Sequence, residues 1–568
     1  MRILVTTCLI LIGMSFAATT VVGEPEIPDT PEAPAVRAIK AAVYTPRNAE
    51  DPQLYPISLL ATLCFDPLYI WEQKDGAVIL KPCLAEDWPE YSDDGLSCTI
   101  RLRENAAFED RSKKEIDERS MSISSADVLF TLKRAAKYRE FNAYELIEGL
   151  IDGLDDMPVA RRRPDHRIGW DAADTAFSPN GLEVVDDRTV RINLTRATKL
   201  LPVYLAHPNF CVVSPEFLER DQFAIGRSVP QFTSSPFEYR SEAGADWCFD
   251  WRTERTPSAG AATLLIKDDS VRYLETVNSL NESTLDYALG VSIPSTLEVK
   301  ELDSRIRPIP FELMYYLAFN MKSETWGSLD DDGRALRTAV GLALDREGFA
   351  DAWKYDGFGK ATALHDVMPS RHGVHSLARP EDWSQGTIAS ALKVLEETEQ
   401  TGAKIRCRIG VSSGFSERDL APLKTSLADL GVTAEFVSMS EAEFTVSVDE
   451  AELDAWIAGW LNDSPNPAVF LELFTRHGQR KASANSLFVG GYRSREYDTA
   501  FETLDGLDPA TASLDDYKKY AQICLEILEA DRPFVPLAEI WWHEAVAESV
   551  VAPRIPLSAG VTLRELRR

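Results

Sequence analysis

Between about residues 385 and 475 the chain alternates helix-like and strand-like segments, and this order constrains the fold more than any other feature. "ASALKVLEETEQ" repeats apolar residues at helical spacing, "KIRCRIGV" reads as a strand, "ERDLAPLKTSLADLG" as a helix and "TAEFVSM" as a strand. A further strand ends at Trp460. Strands separated by helices cannot pair as tight hairpins, so the stretch predicts a mostly parallel sheet covered by helices. Sheets of this kind take ligands in the crevice beyond the carboxyl ends of their strands. In "DAWIAGWLNDSPNPAVFLELF" the carboxylate of Asp463 falls just past such an end. It stands there either to cap the helix expected near Pro465 or to meet a ligand.

The rest of the chain mixes both kinds of element. "AIKAAVYT" (38–45), "SCTIRLR" (97–103), "LDYALG" and "MYYLAFN" (314–320) read as strands, and "LEVVDDRTVRINL" as two short strands around a turn. "SSADVLFTLKRAAK", with a serine cap, "VRYLETVNSL" and "DDYKKYAQICLEILEAD" read as helices, and "GRALRTAVGLALDREGFADAW" as one long helix. The mixed-charge run 109–120 reads as a solvated loop. At 568 residues the chain is too long for one core; at roughly 150 residues per domain it holds about three or four structural units.

The N-terminus has one arginine, an apolar run from Ile3 to about Phe16, and then small residues, which is the pattern of a secretory signal peptide. Cleavage is expected after Ala17, Ala18 or Gly23. The run is too short to span a bilayer comfortably. Residues 24–36, rich in proline and glutamate, read as a flexible lead-in. The formal net charge is −30, or −31 once Arg2 leaves with the leader. That excludes a nucleic-acid binder, which needs basic patches to neutralise phosphate. Seven cysteines remain after the leader, scattered and without a C-x-x-C pair, so no zinc ribbon or redox motif is present, and any disulfide pairing stays open. No glycine-rich phosphate loop occurs, and no cofactor is implied.

Several stretches, in order, resemble extracytoplasmic solute-binding proteins of the peptide-binding class that serve ABC importers. They are "VILKPCLAEDWPEYSDDGLSCTIRLRENAAFED", "SISSADVLFTLKRA", "LEVVDDRTVRINL", "YYLAFNM…RALRTAVGLALDRE", "GWLNDSPNPAVFLELF" and "ILEADRPFVPLAEI". The resemblance spans nearly the whole mature chain. It implies a two-lobe α/β fold of the periplasmic-binding-protein type, with mixed sheets covered by helices and the ligand in the cleft between lobes. On that basis residues 37–65, 175–318 and 537–568 are expected to form lobe I, residues 66–174 an additional subdomain of lobe I, and residues 319–536 lobe II. The resemblance further implies a monomeric, periplasmic, non-enzymatic protein that closes on a short peptide and hands it to a membrane permease.

In peptide binders of this class the Asp of a Gly-Trp-x-x-Asp segment pairs with the ligand's α-amine. Here the segment is Gly459, Trp460, Leu461, Asn462 and Asp463, so Asp463 and Asn462 are placed at the ligand, and Trp460 either flanks the ligand or fills the core. Asp66, in "CFDPLYIW", stands where the family has a cleft-lining Phe-Glu-Gly-Leu, with Pro67 in place of the glycine. Tyr316 lies in the expected crossover strand, where it either reaches the cleft or fills the core. "SSPFEY" (234–239) resembles the family's Gly-x-Gly-Pro-Tyr turn. Some relatives carry an arginine for the ligand carboxylate two residues before the glycine; here that position is Ile457, leaving that anchor unassigned.

Three rival readings remain. "GVSSG" (410–414) matches a nucleophile elbow, and with Asp463, His477 and His543 downstream it outlines a secreted hydrolase using Ser412, although no oxyanion segment precedes it. His365, His372 and His375 beside Asp366 offer metal ligands in what reads as a loop. A ligand-binding sensor subunit, including one for nickel or a sugar, would share the binding-protein fold.

Overall fold

The computed structural model describes residues 38–43, 52–53, 60–75, 77–110, 120–160, 170–216, 232–240, 247–251, 263–268, 271–294, 302–352, 359–368, 386–397, 405–440, 443, 447, 452–462, 464–478, 490–554 and 560–567. The leader and its lead-in, His372, His375 and Asp463 lie outside these residues.

One sheet organises the molecule. Its strands are β1 (Ile39–Val43), β2 (Phe237–Arg240), β3 (Trp247–Trp251), β4 (Thr263–Asp268), β5 (Tyr287–Leu289), β6 (Ile306–Phe319), β7 (Gly359–Ala363), β8 (Ile405–Ser412), β9 (Val432–Met439), β10 (Ala455–Leu461) and β11 (Phe534–Val546). They lie in the order β2-β3-β4-β1-β5-β11-β6-β10-β8-β9, with β7 also paired to β11. The stretch 405–461 behaves as its alternation predicts: β8 pairs in parallel with both β9 and β10, and the helix Glu417–Asp429 connects β8 to β9. A similar parallel set, β4-β1-β5, stands on the other side.

Between the two sets run the long antiparallel strands β6 and β11, of 14 and 13 residues. β6 begins well before the expected residue 314, passing through Pro308 and Pro310. Those prolines are tolerated because β10 pairs with β6 only from Leu313 onward, so the first half of β6 has a single neighbour there and an edge without ladder bonds. At the junction a bulge separates Pro310 from Met314, and Glu312 takes a left-handed φ of 64°.

The long helix expected over 333–353 is two helices, Asp331–Ala343 and Arg346–Ala352. Asp345 causes the break. Its carboxylate accepts from the Gly348 N–H at 2.8 Å, as an N-cap does, and its own N–H is taken by the Ser426 hydroxyl at 2.9 Å. The serine-capped helix is Ser125–Lys137, closed by a capping box between Ser124 and Asp127. It packs on a four-stranded antiparallel sheet that includes Ser97–Arg101 and the hairpin Leu182–Asp186/Thr189–Asn193.

A continuous apolar core underlies these sheets. It also buries Arg337, which donates to the Asp531 carbonyl at 2.6 and 2.9 Å and to that of Ser328 at 2.8 Å. Cys64, Cys83, Cys98, Cys211, Cys248, Cys407 and Cys524 are buried free thiols, so no disulfide joins the described residues. No helix among the described residues is long and apolar enough to cross a membrane.

Candidate functional site

The Gly-Trp-Leu-Asn segment closes β10, the strand that flanks the crossing strand β6. Gly459 faces Tyr315 in register. A Cβ at Gly459 would come within 3.1 Å of the Tyr315 ring, so the absent side chain lets that ring lie across the strand. Trp460 pairs in register with Met314 and is half-buried against the core. The ladder ends where the Asn462 N–H donates to the Glu312 carbonyl at 3.0 Å, at the bulge.

Asn462 is only 2 % exposed. Its amide nitrogen donates to the Ser464 carbonyl at 2.6 Å, while its side-chain oxygen is buried without a hydrogen-bond partner among the described residues. Such an atom is rare in a folded protein and calls for a donor.

The helix that follows starts at Pro467, and its cap is Asn466, whose side-chain oxygen accepts from the Ala468 N–H at 2.9 Å. Proline at the first helical position completes the start. The capping role weighed for Asp463 is therefore filled by another residue. Asp463 itself lies outside the described residues.

Tyr316 and Asp66 are both internal. Tyr316 is 1 % exposed, its ring edge-on to Phe534 with centroids 5.9 Å apart, and burial pushes its hydroxyl pKa up. Asp66 is held by its backbone on both sides: its N–H donates to the Ser234 hydroxyl and its carbonyl accepts from Val212, each at 2.9 Å. The turn at 234–236 thus serves to fix Asp66. The carboxylate accepts from Arg564 Nη1 at 2.7 Å, and Arg103 Nη2 stands 3.7 Å away. Asp66, Lys81, Cys83, Arg103, Ser234 and Arg564 line a cavity of about 180 Å³. Burial raises the Cys83 thiol pKa to about 12, so it stays protonated there. Sequence reasoning missed Arg103 and Arg564 as neighbours of Asp66. Arg103 sits in the quoted "RLRENAAFED", but nothing local links Asp66 to an arginine 498 positions away.

A second cavity, of about 740 Å³, lies beside Arg196, Lys199, His477, Asp498, Phe501 and Asp505; of the residues singled out in the sequence it includes His477 but none of those expected at the peptide. Arg196 binds both Glu472 and Asp505 there, and Tyr204 donates to Glu472 at 2.7 Å. Arg196 is thus committed, while Lys199 lies over the Tyr91 ring, 3.6 Å from its centroid, and Arg476 and Glu502 also line the cavity.

Among the described residues the rival sites do not assemble; His372, His375 and Asp463 lie outside them. The Ser412 hydroxyl is exposed at the end of β8 and accepts from the Gly414 N–H at 3.4 Å; no histidine among the described residues bonds to it. His365 contacts Arg346 at 3.0 Å and Glu347 at 3.5 Å, and no metal-ligating cluster occurs among the described residues.

Comparison with known proteins gives the family and the fold. Residues 80–482 match the model of bacterial extracellular solute-binding proteins, family 5 middle. Heme-binding protein A of Haemophilus influenzae is 23 % identical over 505 residues, covering 85 % of this chain and 82 % of that protein. The dipeptide-binding protein of Pseudomonas aeruginosa is 20 % identical over 484 residues, covering 83 % of each. Among solved structures, the unliganded open form of the periplasmic murein tripeptide-binding protein MppA superposes with a TM-score of 0.67 at 14 % identity, covering 93 % of this chain and 97 % of that one. The α/β fold is thus that of periplasmic binding proteins over nearly the whole chain.

Proposed function

The chain belongs to the bacterial extracellular solute-binding proteins of family 5, the non-enzymatic substrate-binding components of ABC importers, and from that premise we propose that it binds short peptides and delivers them to a membrane permease. The ligand lies between two lobes that close about β6 and β11. Lobe I comprises residues 37–65, 175–318 and 537–568 with the subdomain 66–174, and lobe II comprises residues 319–536. After its leader is removed, the protein works in the periplasm as a monomer.

Asp463 receives the peptide's α-ammonium, Asn462 a ligand N–H, and Trp460 the adjoining side chain. A carboxylate and an ammonium in a water-poor cleft form a charge-assisted hydrogen bond. The observation that carries this reading is the cap at Asn466: the helix after the segment needs nothing from Asp463. The buried oxygen of Asn462, without a hydrogen-bond partner among the described residues, supports it. Asp66 and Tyr316, paired and packed internally, act on the cleft from behind its surface. Calorimetry with free-amine and N-acetylated peptides on the wild type and on Asp463→Asn tests the assignment.

A second reading, a haem-like ligand, is favoured by the 23 % identity to a heme-binding protein. Titration with haemin followed by visible absorbance separates the two. A peptide-binding protein gives no saturable spectral change.

A further inference from the structure

The cavity behind Asp66 is lined by more basic than acidic side chains. Of its three basic residues, Arg564 is committed: it donates to Asp66 at 2.7 Å and to the Thr62 carbonyl at 3.1 Å. Lys81 pairs with Glu72. Arg103 forms a longer ion pair with Asp66 and makes no side-chain hydrogen bond among the described residues. Its nearest acidic atom, at 3.7 Å, is beyond hydrogen-bond reach, and its Nε is buried with no acceptor among the described residues. The lining itself carries three cations, Lys81, Arg103 and Arg564, and one carboxylate, Asp66, in a chain whose net charge is −30. Arg103 also lines a neighbouring cavity of about 400 Å³, with Glu104, Asn105, Ser120 and Ser122.

A guanidinium presents a fork of N–H donors that matches an oxyanion bidentately. The Arg103 backbone is pinned, its N–H donating to the Leu84 carbonyl at 3.0 Å and its carbonyl accepting from Ala106 at 3.1 Å. Asp66, held by Ser234, Val212 and Arg564, offsets part of the local positive potential and shares the Arg103 guanidinium at 3.7 Å. The 180 Å³ cavity has the volume of about six water molecules at roughly 30 Å³ each, enough for a carboxylate or phosphate group.

We infer that Arg103, backed by Arg564 and Lys81, forms an oxyanion subsite in this cavity. The oxyanion is either the carboxylate of the bound ligand or a free inorganic anion. The first source supplies the anchor that Ile457 does not. Only that source rests on the peptide reading; the subsite itself does not.

Two comparisons test it. Calorimetry with tri-alanine and with its C-terminal amide, on the wild type and on Arg103→Gln, reads the ligand source. The thermal midpoint in dilute sodium phosphate against sodium chloride of equal ionic strength reads the free anion. If the ligand carboxylate occupies the site, the wild type binds the acid roughly tenfold or more tighter than the amide. Arg103→Gln removes that preference and Arg103→Lys keeps part of it. If a free anion occupies it, acid and amide bind alike, and phosphate raises the midpoint of the wild type but not of Arg103→Gln. Should tri-alanine fail to bind the wild type, the peptide reading is what fails, and the phosphate comparison decides the subsite alone. Should Arg103→Gln not fold, Lys81→Gln, on a partly exposed lining residue, is expected to weaken the same response. Equal binding of acid and amide, together with no phosphate shift beyond chloride, overturns the inference.

Discussion

Arg196 donates to Asp505 at 2.7 Å across 309 positions of sequence, and the same guanidinium binds Glu472. Thr198 and the Lys199 N–H add bonds to Asp505, the latter at 3.1 Å to its carbonyl. This buried network ties the segment at 196–204 to the helices around 472 and 505, which the proposed division assigns to different lobes. Burial pulls the Arg196 pKa down, yet Glu472, Tyr204 and Asp505 hold it above its ordinary value. Burial also raises Asp505 from 3.8 to about 6, against the pull of Arg196 and Thr198.

The raised Asp505 makes stability depend on pH in a definite sense. The folded protein holds this proton more tightly than the unfolded chain does. The resulting stabilisation is full below about pH 4 and is lost as pH rises through about 6. It amounts to about 2–3 kcal/mol. Urea unfolding at pH 4.5–7.5 should show this loss in the wild type and a flatter profile in Asp505→Asn. Identical profiles would show that Asp505 does not titrate in this range.

Arg337 is buried with its donors on the carbonyls of Asp531, Trp326 and Ser328. Replacing it with methionine leaves those acceptors shut from water and unmatched. Arg337→Met should lose about 3–5 kcal/mol in chemical denaturation. A loss below about 1 kcal/mol would mean that water or repacking replaces the guanidinium.

No hydrolysis is expected. Peptides and p-nitrophenyl esters incubated with the protein should stay intact, and Ser412→Ala should leave both the thermal midpoint and peptide binding unchanged. Turnover that disappears in Ser412→Ala would revive the elbow at 410–414 as catalytic.

Lobe closure should be visible as compaction. Small-angle scattering with a peptide shown by calorimetry to bind should give a smaller radius of gyration than the free protein, since domains joined by a few crossing segments move by default. An unchanged profile at saturation would contradict hinge closure.

Much of the architecture was legible because its cause is local. β8 and β9 are strands separated by a capped helix, and periodicity reports that directly. The capping box at Ser124 and Asp127 was equally plain. The first half of β6 was hidden by Pro308 and Pro310, which argue against a strand unless one knows that β10 pairs only from Leu313. The break at Leu344–Asp345 was masked by helix formers on both sides, although an aspartate three residues before a glycine is a recognisable cap. Asn466 before Pro467 was likewise a readable helix start. What no local pattern could supply were partners far apart in sequence: Arg564 for Asp66, Asp505 for Arg196, and the packing that encloses Tyr316.

The most direct test of the account is a four-way calorimetric cycle at Asp463. It pairs the wild type and Asp463→Asn with a short peptide carrying a free amine and with the same peptide N-acetylated. Either change alone should weaken binding by roughly 2–5 kcal/mol, about 30- to several-thousand-fold. The two together should cost little more than one, because each removes the same ion pair. Tight binding of the free-amine peptide by Asp463→Asn, equal to that of the wild type, would contradict the account: the ligand would not be read through its amine at this residue.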